Sequence, residues 1–292
     1  MKMTARIDEF LIGVKPQREW GWLVITYLFL GGAGAGLFLI SLYIDHGWAG
    51  ALGLVVVISG TGLLLLDLGR PERFWRAFYR PQSSWISRGC FFITLLVALG
   101  ALQVALGVFE IELSPGIATA VKLVSAAAAV LVMIYTGFVL SPSAAIPFWN
   151  STFFPIIFFA YSLLAGIDIL ILTSPLLPGP ALDLGALEGW QAYLALGCLI
   201  FVLSHLSVMS GSATAARESI RLLTRGRWAT LFIGGVIGLG LVVPLLLGWP
   251  FAGRSDMQTI FVMTAVLAIL RLFGDYLFRF LVIRAGMYDP LL

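Results

Sequence analysis

Polar and ionisable side chains stand inside long apolar stretches of this sequence. Such side chains are costly in apolar surroundings and are functional candidates by default. Their hydroxyl, imidazole, carboxyl and guanidinium groups can form hydrogen bonds and transfer protons. The set consists of Tyr27, Asp67, Tyr135, Asp168, His205, Arg271 and Asp275.

Structural roles compete with functional ones for the charged members of this set. Arg271 and Asp275 are four residues apart, so they can pair on one helix face. Asp67 can anchor a helix end beside Arg70. Asp168 has no charged partner nearby in sequence, which favours a proton-handling or water-binding role.

The uncharged members also have two open interpretations. Tyr27 and Tyr135 can belong to an interfacial aromatic belt, although Tyr135 is deep for that role. His205 can bridge helices through hydrogen bonds or take part in proton transfer.

Composition decides the class of protein that carries these residues. Of the 292 residues, 60% are hydrophobic and 11% are charged, whereas soluble domains carry about 25% charged residues. An ordinary globular protein is therefore excluded, and there is no basic run that would indicate nucleic-acid binding. Little of the sequence remains outside the apolar segments, which leaves no room for a second folded domain.

The apolar segments predict an all-α, polytopic membrane protein with eight transmembrane helices, since about 20 apolar residues span a bilayer. The whole chain, 1–292, is interpreted as one integral membrane domain with two four-helix bundles, 1–140 and 141–292. The predicted helices are Trp22–Tyr43, Trp48–Leu68, Gly89–Phe109, Ile117–Leu140, Thr152–Thr173, Trp190–Gly211, Thr230–Trp249 and Gln258–Ile283.

These helices place most of the polar groups at one depth. Side A denotes here the membrane side of the N-terminus, and side B the opposite side. At 1.5 Å per residue, Tyr27, Tyr135, His205 and Asp275 lie within roughly 12 Å of side A, and Asp67 lies at that surface. Asp168 lies instead about two-thirds of the way toward side B.

Basic residues predict the orientation of the helices. Side A carries fifteen of the eighteen Lys and Arg residues, and side B carries only Lys122 and Arg254. The positive-inside rule then places side A, with both termini, in the cytoplasm. A competing interpretation is that some of these arginines dock an acidic partner.

Metal-borne cofactors are not expected in this chain. A bis-histidine haem needs two suitably placed histidines, and the two that are present, His46 and His205, are predicted near opposite surfaces. An Fe–S cluster needs about four cysteines, and Cys90 and Cys198 are interpreted as small core residues.

The segment Asp67–Trp75, with the sequence DLGRPERFW, is the most specific motif of the chain. It resembles the loop after the second helix in the NrfD/polysulfide reductase membrane-subunit family. Further matching segments appear in the same order along almost the whole chain: Trp22 with Tyr27–Gly32 and Gly36, Tyr135–Ser141, Pro147–Asn150 with Pro155, Val243–Pro244, Leu277–Phe280 and Arg284–Gly286.

The resemblance implies a subunit that exchanges electrons and protons with membrane quinone and carries no redox cofactor. It implies a ferredoxin-like Fe–S partner subunit and a further catalytic subunit, either a molybdopterin enzyme or a multihaem cytochrome. It also implies a prokaryotic inner membrane and favours menaquinone over ubiquinone.

Together, the motif matches and the polar groups give the expected site. Quinone binding is expected at Tyr27, Asp67, Arg70, Arg73, Tyr135 and His205. Proton transfer is expected at Asp67, Glu72, Asp168 and Asp275, and partner docking at Arg70, Arg73, Arg76 and Trp85.

Two features depart from the family pattern. Some members place a histidine near the start of the first helix, where this chain has Thr26 and Tyr27. This difference implies a different mode of quinone binding. The family commonly has small residues where Asp168 and Asp275 stand. This departure indicates either a proton path or only a local salt bridge. A proton- or ion-translocating subunit with these two aspartates as carriers is the alternative function.

Overall fold

A computed structural model describes residues 13–179, 182–248 and 257–289. Within these residues, eight helices are long and apolar enough to cross a membrane, which confirms the predicted all-α, multi-pass class. Elements in sequence order are β1 (Lys15–Pro16), α1 (Trp22–Tyr43), α2 (Gly47–Asp67), a 3₁₀ helix (Pro71–Phe78), α3 (Trp85–Val108), α4 (Pro115–Phe138), α5 (Phe153–Thr173), α6 (Leu184–Ser210), α7 (Thr214–Thr224), α8 (Thr230–Gly248), α9 (Met257–Arg284) and β2 (Met287–Tyr288).

Two spanning helices begin earlier than their apolar runs predict, because polar residues cap them. Helix α3 begins at Trp85, where the Ser84 hydroxyl accepts a 3.3 Å bond from the Ser87 backbone N–H. Helix α6 begins at Leu184, where the Asp183 carboxylate accepts a 3.0 Å bond from the Ala186 N–H. Such side chains satisfy N–H groups that a helix start leaves free.

Two short helices lie outside the predicted set. The 3₁₀ helix Pro71–Phe78 begins with a proline, which suits the first turn. Helix α7 has eleven residues, with polar and basic side chains on one face and Ala215, Ala216 and Leu223 buried on the other. Both are too short to cross a bilayer, and both lie in connections on side A.

Helix α1 is at the centre of the bundle and packs against α2, α4, α5 and α9. Glycines bring its backbone close to that of α5. A Cβ atom at Gly36 would lie 2.0 Å from the Ser162 carbonyl oxygen, and one at Gly166 would lie 2.5 Å from the Gly36 carbonyl carbon. This crossing joins the two halves that the sequence suggests, whose division near residue 140 stays a prediction.

The described ends of the chain meet at one surface of the bundle. Strand β1 pairs antiparallel with β2, and the Gln17 side-chain amide donates a 3.0 Å bond to the Ile283 carbonyl. The Tyr288 hydroxyl donates a 2.7 Å bond to Glu19, which lowers the pKa of that exposed carboxyl. Segments 13–20 and 285–289 therefore share side A.

Candidate functional site

Two tyrosines from different helices meet close to side A. The Tyr27 hydroxyl, on α1, donates a 3.1 Å hydrogen bond to the Tyr135 hydroxyl, on α4. Both side chains are buried. Helix α3 completes the contact, because a Cβ atom at Gly89 would lie 2.0 Å from Cζ of the Tyr135 ring. The structure thus brings together two of the predicted quinone-binding residues.

The direction of this bond determines what the pair can do. Because Tyr27 donates and Tyr135 accepts, the proton of Tyr135 is left to donate elsewhere. The pair is therefore suited to hold an acceptor such as a carbonyl oxygen. Since both hydroxyls are buried, a ligand reaches them only after neighbouring side chains move aside.

The Asp67–Arg73 loop is separate from the tyrosines. Asp67 ends α2, and the loop side chains are exposed. Glu72 lies 3.9 Å from Arg73 in a solvated ion pair. Within the described part of the chain no hydrogen bond joins this loop to Tyr27 or Tyr135.

The 3₁₀ helix after this loop forms an exposed surface of aromatic and basic side chains. Phe74 and Trp75 are each nearly half exposed, and the Arg76 guanidinium lies 5.5 Å from the Trp75 ring. Trp85, which is also predicted to dock a partner, packs against another part of the fold. It stacks on Phe138 at 4.3 Å between ring centroids.

His205 occupies its own aromatic environment. Its Nδ1 lies 3.2 Å from the Ser151 hydroxyl, which links α6 to the start of α5. The rings of Phe148 and Phe154 lie 5.0 Å and 4.6 Å from the imidazole. Its Nε2 atom has no hydrogen-bond partner among the described residues. The structure does not bring His205 into contact with the tyrosine pair.

Two buried ion pairs lie deeper in the bundle. The Arg271 guanidinium donates a 2.8 Å bond to Asp168, and the Gln191 amide donates a 2.7 Å bond to the same carboxylate oxygen. Asp275 pairs with Arg279, again at 2.8 Å. Both pairs are almost completely buried.

The pairing of Arg271 with Asp275, one of the open interpretations, is therefore wrong. An acidic residue four positions before a basic one is the favoured order on a helix, and Asp275–Arg279 has that order. Arg271 instead reaches across to Asp168, which is 103 residues away in the sequence.

Sequence reasoning misses the role of Arg279 and counts it among the surface charges of side A. Its side chain is fully buried, donates to the Leu28 carbonyl at 2.9 Å and lies 4.5 Å from the Phe158 ring. It therefore ties α9 to α1 beside Tyr27. The spacing from Asp275 is the signal that could have identified it.

The fold and this site define a polytopic membrane protein with a buried tyrosine pair near one surface and buried ion pairs within the bundle. The family profile described as polysulphide reductase, NrfD, matches residues 11–289, and the protein belongs to that family.

Individual relatives align over nearly the full length. The C subunit of polysulfide reductase from Wolinella succinogenes is 30% identical, and the alignment spans 91% of this protein and 94% of that subunit. Protein NrfD of Escherichia coli is 27% identical over the same shares of the two sequences. A protein NrfD homolog of Haemophilus influenzae is 24% identical over 93% of this protein and 95% of its own length.

Proposed function

We propose that this protein is the membrane subunit of a respiratory oxidoreductase complex, where it exchanges electrons and protons between membrane quinone and a partner Fe–S subunit. Family membership supports the oxidoreductase complex, because a relative is a subunit of polysulfide reductase. The observation that carries the quinone role is the buried Tyr27–Tyr135 pair near side A.

Quinone chemistry fits this pair. A quinone ring presents two carbonyl acceptors, and its reduction takes up two electrons and two protons. Tyr135 can donate its hydroxyl proton to one carbonyl oxygen, while Tyr27 fixes the orientation of that hydroxyl. The apolar helix faces around the pair suit the isoprenoid tail. The electrons pass between the quinone and the partner subunit, since this protein is proposed to hold no redox centre.

The exposed basic and aromatic surface on side A is the proposed docking site. Arg70, Arg73 and Arg76 lie next to Phe74 and Trp75, and positive charge attracts an acidic partner over distance. We assign this surface to a ferredoxin-like Fe–S subunit, with a molybdopterin or multihaem catalytic subunit beyond it. Burial of Arg279 removes one charge from side A but leaves its basic excess, so side A remains the proposed cytoplasmic side of a prokaryotic inner membrane.

A proton-translocating role with Asp168 and Asp275 as carriers is the second candidate. It is favoured by the depth of both carboxylates, but each one is held by an arginine. Proton transport by the reconstituted protein, lost in Asp168→Asn, would support it over the quinone role.

The test of the quinone role uses the complex purified from native membranes in mild detergent. Tyr135→Phe removes one hydroxyl, and we expect quinone-linked turnover to fall by about 100-fold, the range of a lost proton donor. Tyr193→Phe is the matched control, because Tyr193 is 68% exposed on the outer face of α6.

His205→Ala completes this test. Wild-type turnover in both Tyr135→Phe and His205→Ala would overturn the proposed pocket. A passive anchor is a separate alternative, which predicts that no quinone copurifies with the complex.

A further inference from the structure

A small polar cavity lies between α6, α8 and α9, toward side B. Its polar lining is Glu188, Gln191, Thr264 and Arg271, and apolar side chains such as Leu267 close it. Its volume is about 10 Å³, which is room for about one water molecule.

Unpartnered polar atoms surround this cavity. In the described ranges, Glu188 Oε2, Gln191 Oε1 and Arg271 Nη2 have no hydrogen-bond partner. Asp168 Oδ2 is also unpartnered; Asp168 does not line the cavity, but its Oδ1 atom accepts bonds from Gln191 and Arg271, which do. All four side chains are at least nine-tenths buried. Buried polar atoms are costly when unpaired and are commonly satisfied by an internal water that makes about three hydrogen bonds.

Glu188 is the polar lining residue that lies nearest to the side-B end of α6. Glu188 lies four residues after Leu184, where α6 begins on side B, so it is roughly 6 Å along the helix from that surface. The Thr264 hydroxyl donates to Glu188 Oε1, which orients the carboxylate. Gln191 is one turn deeper and contacts Asp168 directly.

We propose that one water molecule occupies this cavity and that Glu188, the water and Asp168 form a proton relay that starts at Glu188, near side B. A hydronium ion on side B gives its proton to the Glu188 carboxylate. Glu188 then donates that proton to the bound water, while the water passes one of its own protons to the Asp168 carboxylate. One O–H bond forms for each one that breaks, so no oxidant or reductant is needed.

Arg271 limits how long Asp168 keeps the proton. Protonation of Asp168 removes the negative charge that neutralises the buried guanidinium, 2.8 Å away. Asp168 therefore acts as a transient acceptor rather than a store. Farther along α9, Asp275 and Arg279 continue the charged face toward side A. The Arg279 guanidinium donates a hydrogen bond to the carbonyl of Leu28, the residue that follows Tyr27.

This relay stands independently of the quinone role and is tested on the full-length protein alone. Liposomes that contain the protein with side B outward are fixed on a solid-supported membrane and given a step in proton concentration. A proton that moves partway into the membrane produces a transient charge displacement. Wild type is expected to show it.

Two variants separate the carboxylate from the water. Glu188→Gln keeps the shape of the side chain but removes the entry carboxylate. Ala195→Val fills the cavity from its lining and displaces the water with the acidic groups intact. Both are expected to lose the charge displacement. The controls are Glu110→Gln, on an exposed side-B carboxylate, and Leu196→Val, one residue from Ala195 but outward-facing; both should retain it.

An unchanged displacement in Glu188→Gln and Ala195→Val, or none in wild type, overturns the relay. Cryo-electron microscopy of the complex at a resolution that shows waters supplies a second measurement. Density bonded to Gln191 and Arg271 is expected, and a dry cavity would contradict the proposal even if a variant failed to fold.

Discussion

Gly89 on α3 lies directly against the ring of Tyr135 on α4. A Cβ atom at Gly89 would approach three ring carbons, at 2.0 to 2.5 Å. Glycine is therefore required for this contact, because any side chain would push the ring, and with it the hydroxyl that Tyr27 contacts, out of place.

Gly89→Ala is accordingly expected to impair the tyrosine pair. Overpacking of this kind costs about 1–3 kcal/mol, and displacement of the hydroxyl should lower quinone-linked turnover by more than about tenfold, as loss of a positioned proton donor does. The control is Gly107→Ala on the same helix, where an added Cβ atom meets nothing within 4 Å. Equal turnover in the two variants would show that the position of Tyr135 does not matter.

The buried Asp275–Arg279 pair is expected to stabilise the bundle. Arg279→Gln leaves Asp275 as an uncompensated buried charge and also removes the bond to the Leu28 carbonyl. The expected loss is about 3–5 kcal/mol, measured by thermal unfolding in detergent. Arg221→Gln breaks an exposed pair with Glu218 and should change stability by less than about 1 kcal/mol. A similarly small change in both variants would show that the Asp275–Arg279 pair does not stabilise the bundle.

Asp168 and Arg271 are expected to be coupled in a double-mutant cycle. Asp168→Leu and Arg271→Met each leave one buried charge unpaired, whereas the double variant leaves none. Each single change should cost about 3–5 kcal/mol and the double change much less than their sum. Unfolding free energies that simply add would show that the two side chains do not interact.

Much of the fold could be predicted from the sequence because apolar length alone fixes the spanning helices. The start of α6, by contrast, depends on Asp183, a polar cap outside the apolar run. Helix α7 was missed because its residues are amphipathic rather than apolar. Mean hydropathy, which identifies the spanning helices, detects neither feature.

The candidate site could be predicted only in part. Tyr27 and Tyr135 were correctly placed at one depth, since depth follows from position along a helix. Which helix face each side chain occupies depends on packing between distant segments. For that reason the sequence did not reveal that Arg271 pairs with Asp168 or that His205 contacts Ser151.

The α1–α5 crossing makes a further prediction about stability. Gly166→Ala would place a methyl group 2.5 Å from the Gly36 backbone, so the two helices must separate. The expected cost is at least about 1–3 kcal/mol, read from thermal unfolding. Gly189→Ala on α6, where nothing lies within 4 Å of an added Cβ atom, should leave stability unchanged or raise it slightly, because alanine favours helix. Equal stability of both variants would mean that the crossing tolerates a wider spacing.

Partner docking is expected to depend on charge at the 3₁₀ helix. Arg73 and Arg76 are exposed there, and Arg73 is only loosely paired with Glu72, at 3.9 Å. Replacement of both arginines by glutamine should slow association with the Fe–S subunit and weaken its dependence on salt, because steering by exposed charges is screened within about 10 Å at 0.1 M salt. Surface plasmon resonance at several salt concentrations measures both effects.

Arg217 and Arg225 near α7 provide the comparison, since they also lie on side A but outside this surface. If the Arg217→Gln/Arg225→Gln variant slows association as much as the first, the partner responds to the overall charge of side A rather than to the 3₁₀ helix.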